Sequence, residues 1–372
     1  IYRGSNPLGG SFMELLTPYL QEKDRTKYGD ADSARQALPP YLHQQGERTQ
    51  PDWLYRFLLD PQAIRKTVIL RMPKFNMSDQ EARALAAYFA AVTRQTNPGI
   101  GLPYPFEAPV AQGDVNEGYW RKKTEEYVAQ LKKSPARDKE GKPLKGADGK
   151  PISAYEQRIE AYKPLWDQMK SDMETSFKAE VEKLDKLVAS QQAELKAKEQ
   201  LKKDGKGNAK ELDDQIATIT QVIKTAESDR KARQKELEAL DVKTLQDNWE
   251  KKEAYAADAY RLLTSRDLCT KCHQVGNIPA GEQIKPGPWL DLATARLRPD
   301  YVERWVAKPS RFLHYTSMPQ YFEGHRLQYQ HLLAVPPRDQ LQALTDVLVN
   351  LPRVSAMPIN RAYHPDVPVQ KK

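Results

Sequence analysis

The sequence predicts an all-α protein in which two compact helical segments flank a long antiparallel coiled-coil helical hairpin. Three observations predict this fold class. Both ends of the chain are punctuated by proline and carry short helical patterns, the middle is dominated by Lys, Glu, Ala, Gln and Leu, and the apolar residues of the middle recur at three- and four-residue steps. The predicted domain boundaries are residues 1–110, 111–258 and 259–372.

The amino-acid composition argues against two classes, membrane-spanning and nucleic-acid-binding proteins. Hydrophobic residues make up 39% of the 372 residues and charged residues 29%, and no apolar run approaches the roughly 20 residues of a membrane span. The chain begins at Ile1, which predicts a processed or truncated product that has lost its targeting segment. Nucleic-acid binding is not expected, because the basic residues in the middle are matched almost one for one by acids.

The clearest helix of the first segment runs from Ser78 to Val92. Ser78 can cap its first turn, and Glu81 completes a capping box. The apolar positions of this helix share one face: Ala84, Leu85, Tyr88, Phe89 and Val92. A loop rich in proline and glycine follows and indicates a domain edge.

The middle segment carries two apolar seams separated by a glycine-rich break at residues 203–208. This pattern predicts an antiparallel hairpin with arms of about 45 residues each. Arg230 and Arg233 interrupt the second seam, and residues 139–151 before the hairpin read as a polar, turn-rich excursion. The seam residues are Met169, Met173, Phe177, Val181, Leu184, Val188 and Leu195 in the first arm and Leu212, Ile216, Ile219, Ile223, Ala226, Leu237 and Leu240 in the second.

The third segment contains the motif that carries chemistry. The second hairpin arm is expected to continue as residues 254–265 and lead directly to Cys269, Cys272 and His273, a Cys-x-x-Cys-His motif. Two thiols at this spacing can each add to one vinyl group of a haem, and the adjacent histidine is then held beneath the iron. The motif uses both cysteines of the chain, and it predicts a covalently bound haem c.

Three other interpretations of the two cysteines compete with haem. A structural zinc site needs four protein ligands, and the chain has no second cysteine pair. A thioredoxin-like dithiol needs a βαβ context, which the sequence does not indicate. Two buried free cysteines remain the simplest alternative.

A haem held this way needs a sixth iron ligand. Met318, which precedes a proline in a loop after the motif, is the predicted ligand, and a thioether suits a haem that transfers electrons. The alternative reading of a lone methionine is core packing. His314 is the main rival, followed by His325 and His331. Arg304 and Trp305 could help fix the haem propionates, although helix surface and core are the simpler reading of both.

These features together resemble a class I cytochrome c domain. The resemblance covers residues 259–372: a helix, Cys-Thr-Lys-Cys-His, a Gly-Pro-Trp-Leu segment at 287–290, Tyr-Thr-Ser-Met-Pro at 315–319, and a closing helix at 338–351. It implies an all-α fold around haem, electron transfer as the function, and haem attachment outside the cytoplasm, which predicts a periplasmic location. The chain is also similar to multidomain bacterial c-type cytochromes.

Charge and domain order suggest the partners. Residues 261–372 carry 15 basic and 9 acidic side chains, which suits redox partner proteins with acidic docking surfaces, or solubility alone. A second hypothesis makes the chain a haem-bearing subunit of a membrane or periplasmic complex, docked through the hairpin. A third is a haem enzyme such as a peroxidase, or a gas sensor, which would need an open sixth position.

The first segment repeats part of the third. Residues 50–57 parallel residues 298–305, and Arg71-Met72-Pro73 parallels Ser317-Met318-Pro319. The first segment nevertheless has no Cys-x-x-Cys-His motif. Either this motif lies upstream of the given chain, in which case Met72 would ligate a second haem, or the segment is a haem-free scaffold in which Met72 is a core residue.

Overall fold

The computed structural model of the protein describes residues 10–39, 42, 44–64, 72–95, 113–281, 287–322 and 329–363. This part of the chain is helical and contains isolated backbone bridges but no β-strand, which confirms the predicted all-α class. Residues 158–250 form one compact unit, and the described chain before and after them forms the other. None of the described helices combines the length and apolarity that a membrane span requires.

The described part of the N-terminal segment folds into short helices around two apolar clusters. Met13, Leu20 and Tyr28 belong to the first cluster, which also contains Tyr315 from the C-terminal segment. Leu54 and Leu58 belong to the second. The helices are α1 (Gly10–Lys23), α2 (Ala31–Ala37), α3 (Gln45–Arg48), α4 (Pro51–Leu59) and α5 (Asp79–Val92).

Helix α5 begins as the sequence predicts. Ser78 Oγ accepts a hydrogen bond from the Glu81 N–H at 3.3 Å, and the Glu81 carboxylate accepts one from the Ser78 N–H at 2.8 Å. The face that carries the larger apolar residues is not the buried one, since Tyr88 is 60% exposed and Val92 is 52% exposed. The buried positions are the small residues Ala82, Ala86 and Ala90.

Close approach of helices explains why α5 turns its small residues inward. A Cβ atom placed on Gly46 of helix α3 would lie only 1.9 Å from the Phe89 carbonyl oxygen of α5. Any side chain at position 46 would overlap the α5 backbone, so α3 needs glycine there, and the buried positions of α5 hold only alanine. The larger apolar side chains of α5 therefore point partly to solvent.

The C-terminal segment is built on the crossing of two helices. Tyr255 of α10 donates a hydrogen bond of 2.9 Å to the buried Asp346 carboxylate of α13, and Tyr119 of α6 donates a second of 2.7 Å. The helices of this part are α6 (Gly113–Lys133), α10 (Ala254–Leu263), α11 (Ala293–Arg296), α12 (Pro299–Ala307), α13 (Pro337–Val349), α14 (Leu351–Ala356) and α15 (Pro358–Ala362).

We expect Tyr255→Phe to destabilise the protein by about 1.5–3 kcal/mol, because it removes a hydrogen bond to a buried charged group. The midpoint of urea unfolding measures this. Tyr88→Phe is the matched control, since the same hydroxyl is removed from an exposed side chain. Equal midpoints for the two variants would contradict a structural role for the Tyr255–Asp346 contact.

The two repeats predicted from the sequence have the same local structure. Helices α4 and α12 each span nine residues and each begin with proline after an extended residue. That preceding residue is Gln50 in the first repeat, with φ −69° and ψ 138°, and Arg298 in the second, with φ −77° and ψ 135°. Each is also preceded by a four-residue helix, α3 or α11.

The repeats face each other through equivalent residues. The Gln50 N–H donates to the Arg296 carbonyl at 2.9 Å, and the Arg298 N–H donates to the Arg48 carbonyl at 3.1 Å. Between these bonds Thr49 and Leu297 form an antiparallel bridge. Because the exchange is reciprocal, the two repeats are related at this point by an approximate two-fold axis.

The middle of the chain contains the two longest described helices, α7 (Ala154–Lys203) and α8 (Ala209–Glu238). They are joined by a turn at residues 204–208, where the sequence places its glycine-rich break. The arms are 50 and 30 residues long, so the first exceeds the predicted length and the second falls short of it. The predicted seam positions of both helices are buried or half-buried.

Charged side chains pair across the two helices where the second seam is interrupted. Arg230 contacts Asp185 at 2.8 Å, and Arg233 contacts Glu180 at 2.8 Å. The arginines are thus accommodated by acids on the opposite helix. Residues 134–153 before α7 form a turn-rich segment held by paired backbone hydrogen bonds.

The predicted continuation of the second arm into residues 254–265 is wrong. Helix α8 ends at Glu238, and Asp241 caps a new helix, α9 (Val242–Asn248), by accepting a hydrogen bond from the Thr244 N–H. A π-helical turn at Trp249–Glu253 then leads into α10. The interruption follows from the local preference of aspartate for the N-cap position.

Candidate functional site

The Cys-x-x-Cys-His motif forms a compact turn directly after α10. A 3₁₀ turn spans Cys269–Lys271, and the Cys269 carbonyl accepts hydrogen bonds from the N–H groups of Cys272 at 3.1 Å and His273 at 2.8 Å. The buried Thr270 hydroxyl anchors the turn by donating to the Thr264 carbonyl at the end of α10. The turn therefore fixes all three chemically active side chains on one short, rigid piece of backbone.

A second stretch of backbone orients the histidine. The Gly287 N–H donates to the Cys272 carbonyl at 2.8 Å, and His273 Nδ1 lies 2.7 Å from the Pro288 carbonyl oxygen. Since a carbonyl can only accept, Nδ1 carries the proton in this contact. Nε2 of a neutral His273 is then left with its lone pair, which is the arrangement that metal-binding histidines use.

Glycine is needed beside this imidazole. A Cβ atom on Gly287 would lie 2.3 Å from Cε1, 2.5 Å from Nδ1 and 2.9 Å from Nε2 of His273. The ring therefore lies flush against the backbone, and its position is set by contact as well as by the hydrogen bond to Pro288.

Burial favours the uncharged forms of Cys269, Cys272 and His273. Burial raises the pKa of Cys269 to about 12 and also raises the pKa of Cys272, against the opposing charge of Lys271. Burial lowers the pKa of His273, an effect that the bond to Pro288 opposes. At neutral pH the site thus presents two thiols and a neutral imidazole, unlike the thiolate of a redox-active dithiol.

Met318 lies in the loop after α12, where two hydrogen bonds hold it. Its sulfur accepts a hydrogen bond of 3.0 Å from the indole Nε1–H of Trp305, and its N–H donates to the Thr316 hydroxyl at 3.2 Å. Trp305 is itself stacked on Tyr301, with ring centroids 5.8 Å apart. The thioether is therefore positioned by a side chain of α12 and by its own loop.

One cavity brings the predicted site residues together. Cys269, Cys272, His273 and Met318 all line it. Apolar and aromatic side chains form much of the remaining wall contributed by the C-terminal segment: Leu268, Pro288, Leu297, Tyr301, Trp305, Phe312, Leu313 and Tyr321. The cavity thus combines two thiols, an imidazole and a thioether with a largely apolar interior.

The rival ligands lie elsewhere. His314 is exposed and packs its ring edge-on against Tyr315, outside the cavity wall. His331 does not line the cavity either, and His325 lies outside the described residues. Arg304 is on the helix surface, where it pairs with Glu47.

Met72 has different surroundings from Met318. It is half-buried and packs against the apolar cluster that contains Leu54 and Leu58. The position equivalent to Trp305 is Phe57, which stacks on Trp53 at 4.8 Å but has no N–H to donate to a sulfur. The second haem predicted beside Met72 stays a prediction, and Arg71 lies outside the described residues.

One wall of the cavity comes from the first repeat, and no motif in the sequence marks it. Helices α2 and α3 and the turn before them contribute side chains from the first repeat, namely Lys27, Tyr28, Ser33, Gln36, Ala37, Gln44, Gln45 and Arg48. The repeat itself was the available signal, because two similar segments commonly pack together. The residues of the wall carry no local pattern of their own.

The described residues contain no group of three or more His, Cys, Asp and Glu side chains that could hold a metal ion by themselves. Comparisons with models of protein families, with curated proteins and with solved structures found no match for this chain.

Proposed function

We propose that this chain is an extracytoplasmic c-type cytochrome, which transfers electrons through a haem c bound covalently at Cys269 and Cys272 and ligated by His273 and Met318. The observation that carries the proposal is the cavity, which combines two thiols, an oriented imidazole and a thioether in one largely apolar space. That donor set is the one expected for a covalently bound, six-coordinate haem.

The residues present fit this group. Cys269 and Cys272 are free thiols that open onto the cavity. His273 offers Nε2 because Nδ1 is occupied by the Pro288 carbonyl. Zinc is the weaker reading, because the described residues contain no group of three or more His, Cys, Asp and Glu side chains that could hold a metal ion, and zinc sites rarely use a thioether such as that of Met318.

Each residue has a defined task in the proposed function. When bound, the haem iron supplies the redox chemistry by accepting and releasing one electron. Pro288 and Gly287 fix the imidazole, Trp305 holds the Met318 sulfur, and the apolar wall excludes water. A site held this firmly changes little between oxidation states, which favours rapid outer-sphere transfer over chemistry on a substrate.

The proposed partners follow from the same chemistry. Redox proteins with acidic docking surfaces suit the basic C-terminal segment, and a periplasmic location is proposed because covalent haem attachment implies it. Docking of the hairpin to a membrane or periplasmic complex stays a prediction. The seam residues of the hairpin are buried or half-buried, and its arginines pair with acids of the opposite helix. These contacts fit a hairpin that needs no partner as well as one that docks to a complex.

The experiment that tests the proposal is the haem content of the purified chain, measured together with its intact mass. We expect at least one haem per polypeptide, and the mass should include it after denaturation. A chain of the bare polypeptide mass, purified from a host with an active c-type haem attachment system, would overturn the proposal.

We expect Met318→Leu to retain the covalent haem, to lose the long-wavelength absorption of a thioether-ligated ferric haem, and to lower the midpoint potential. Leucine keeps the volume but cannot ligate iron, and loss of methionine ligation lowers the potential. Optical spectra and a redox titration measure these changes. Met357→Leu is the control, because Met357 lies off the cavity wall. An unchanged ferric spectrum in Met318→Leu would exclude Met318 as the ligand.

A further inference from the structure

The wall that the first repeat adds to the cavity differs in character from the rest. The C-terminal segment contributes mainly apolar and sulfur-containing side chains, whereas the first repeat contributes a tyrosine, a serine, three glutamines and two cations. No acidic side chain is among the described residues that line the cavity. The cavity is therefore amphiphilic, and the first repeat supplies most of its polar side chains and two of its three cations.

From this asymmetry we infer that the first repeat binds the carboxylates of the haem propionates, with Tyr28 and Arg48 as the principal contacts. The inference rests on the proposed function, since it assigns the ends of the same ligand. A haem is an apolar macrocycle with two carboxylates at one edge, so it matches a cavity that is apolar on one side and cationic on the other.

The buried Tyr28 hydroxyl gives the strongest support for propionate binding. Its side chain lines the cavity and is 4% exposed, yet its hydroxyl has no hydrogen-bond partner. A buried hydroxyl without a partner is costly, and most such groups in proteins are satisfied. A carboxylate in the cavity would accept this hydrogen bond, and it would account for a polar group that the protein itself leaves unsatisfied.

The cations provide the complementary charge. Lys27, Arg48 and Arg296 line the cavity, and the Arg296 guanidinium lies over the Trp53 ring, 5.5 Å from its centroid. A buried carboxylate must be paired with a cation to remain ionised. Arg48 belongs to helix α3 of the first repeat and Arg296 to the equivalent helix α11 of the second, so the approximate two-fold axis brings both cations to one cavity.

Backbone contacts between the repeats make this wall part of the site. Gln36 donates to the Tyr315 carbonyl at 2.8 Å, and the reciprocal bonds of Gln50 and Arg298 fix α3 against α11. The first repeat thus completes a site whose iron ligands all lie in the second. This gives the first repeat a role in the haem site even if it binds no haem of its own.

The test uses Tyr28→Phe and Arg48→Gln in the full, haem-loaded chain. We expect Tyr28→Phe to shift the propionate bending mode in the resonance Raman spectrum, because a hydrogen bond to a carboxylate is lost. Arg48→Gln should lower the midpoint potential, because removing a nearby positive charge stabilises the ferric state. Tyr88→Phe and Arg56→Gln, both at exposed positions off the cavity, should change neither.

A second comparison separates ligand binding from structural effects. Tyr28→Phe should lower the urea midpoint of the haem-loaded chain and leave unchanged, or raise, that of a haem-free chain with both cysteines replaced by serine. The hydroxyl has no partner until the carboxylate is present. A haem-loaded chain with an unchanged propionate mode and potential in both variants overturns this inference alone, whereas a wild-type chain without haem overturns the proposed function as well.

Discussion

Replacing both Cys269 and Cys272 with serine is expected to abolish covalent haem, leaving a chain of the bare polypeptide mass. Cys269 begins a 3₁₀ turn and Cys272 caps its end, and both thiols open onto the same cavity. Serine keeps the size and the turn but cannot form a stable thioether. Denaturing electrophoresis with haem staining, and acidic organic extraction of the pigment, measure the loss.

The two single variants test the contribution of each thiol separately. Cys269→Ser and Cys272→Ser each leave one thiol, so each is expected to retain a reduced fraction of covalent haem with an altered visible spectrum. Met318→Leu is the matched control, because it changes a predicted iron ligand without touching either attachment point. Pigment that resists extraction from the double variant would contradict attachment at these cysteines.

Loss of the haem should also lower the free energy of unfolding. A ligand that binds the folded state and not the unfolded one stabilises the folded state, and a haem propionate would also give the buried Tyr28 hydroxyl an acceptor. The double cysteine variant is therefore expected to unfold at lower urea concentration than the haem-loaded chain.

Local signals in the sequence predicted the features that depend on neighbouring residues. The Ser78–Glu81 capping box and the glycine-rich turn at 204–208 lie where the sequence indicates. The same holds for the all-α class. Each depends on side chains a few residues apart, so the pattern that produces the structure is visible in a short window.

Long-range packing was not predictable in the same way. The larger apolar residues of α5 share one face, yet Tyr88 on that face is exposed, because the close approach of α3 at Gly46 buries the alanine face instead. The Arg48 wall of the cavity arises from pairing of segments that are far apart in the sequence. Nothing local marks either contact, because the partner backbone decides which face is buried.

For the Cys-x-x-Cys-His motif, the sequence predicts part of the site and leaves one ligand open. Spacing alone placed Cys269, Cys272 and His273 together, but it left several candidates for the opposite ligand. The cavity favours Met318 over His314 because only Met318 lines it, and Trp305 explains how the sulfur is held. That choice depends on the path of the loop after α12, which the sequence does not specify.

Gly287→Ala is expected to destabilise the protein by about 1–3 kcal/mol, the usual cost of forcing a methyl group into a packed site. The added Cβ would lie 2.3 Å from His273 Cε1, and the nearest atoms all belong to that ring. Gly287 does not have a positive φ, so the cost is steric and not a matter of backbone conformation. Urea unfolding of the purified chain measures it.

The same substitution should disturb the iron ligand specifically. The ring cannot move away without losing the 2.7 Å contact between Nδ1 and the Pro288 carbonyl, which also leaves Nε2 available to the proposed haem iron. We therefore expect Gly287→Ala to retain covalent haem but to show weakened histidine ligation, with a larger high-spin fraction in its absorption spectrum.

Gly118→Ala is the matched control for this prediction. Gly118 lies in helix α6, and a Cβ atom there would meet nothing within 4 Å. Alanine in a helix is favoured over glycine by roughly 0.5–1 kcal/mol, so this variant should be unchanged or slightly more stable, with an unaltered spectrum. If Gly287→Ala behaves like Gly118→Ala in both measurements, then His273 is not held against residue 287, and the orientation of the imidazole must have another cause.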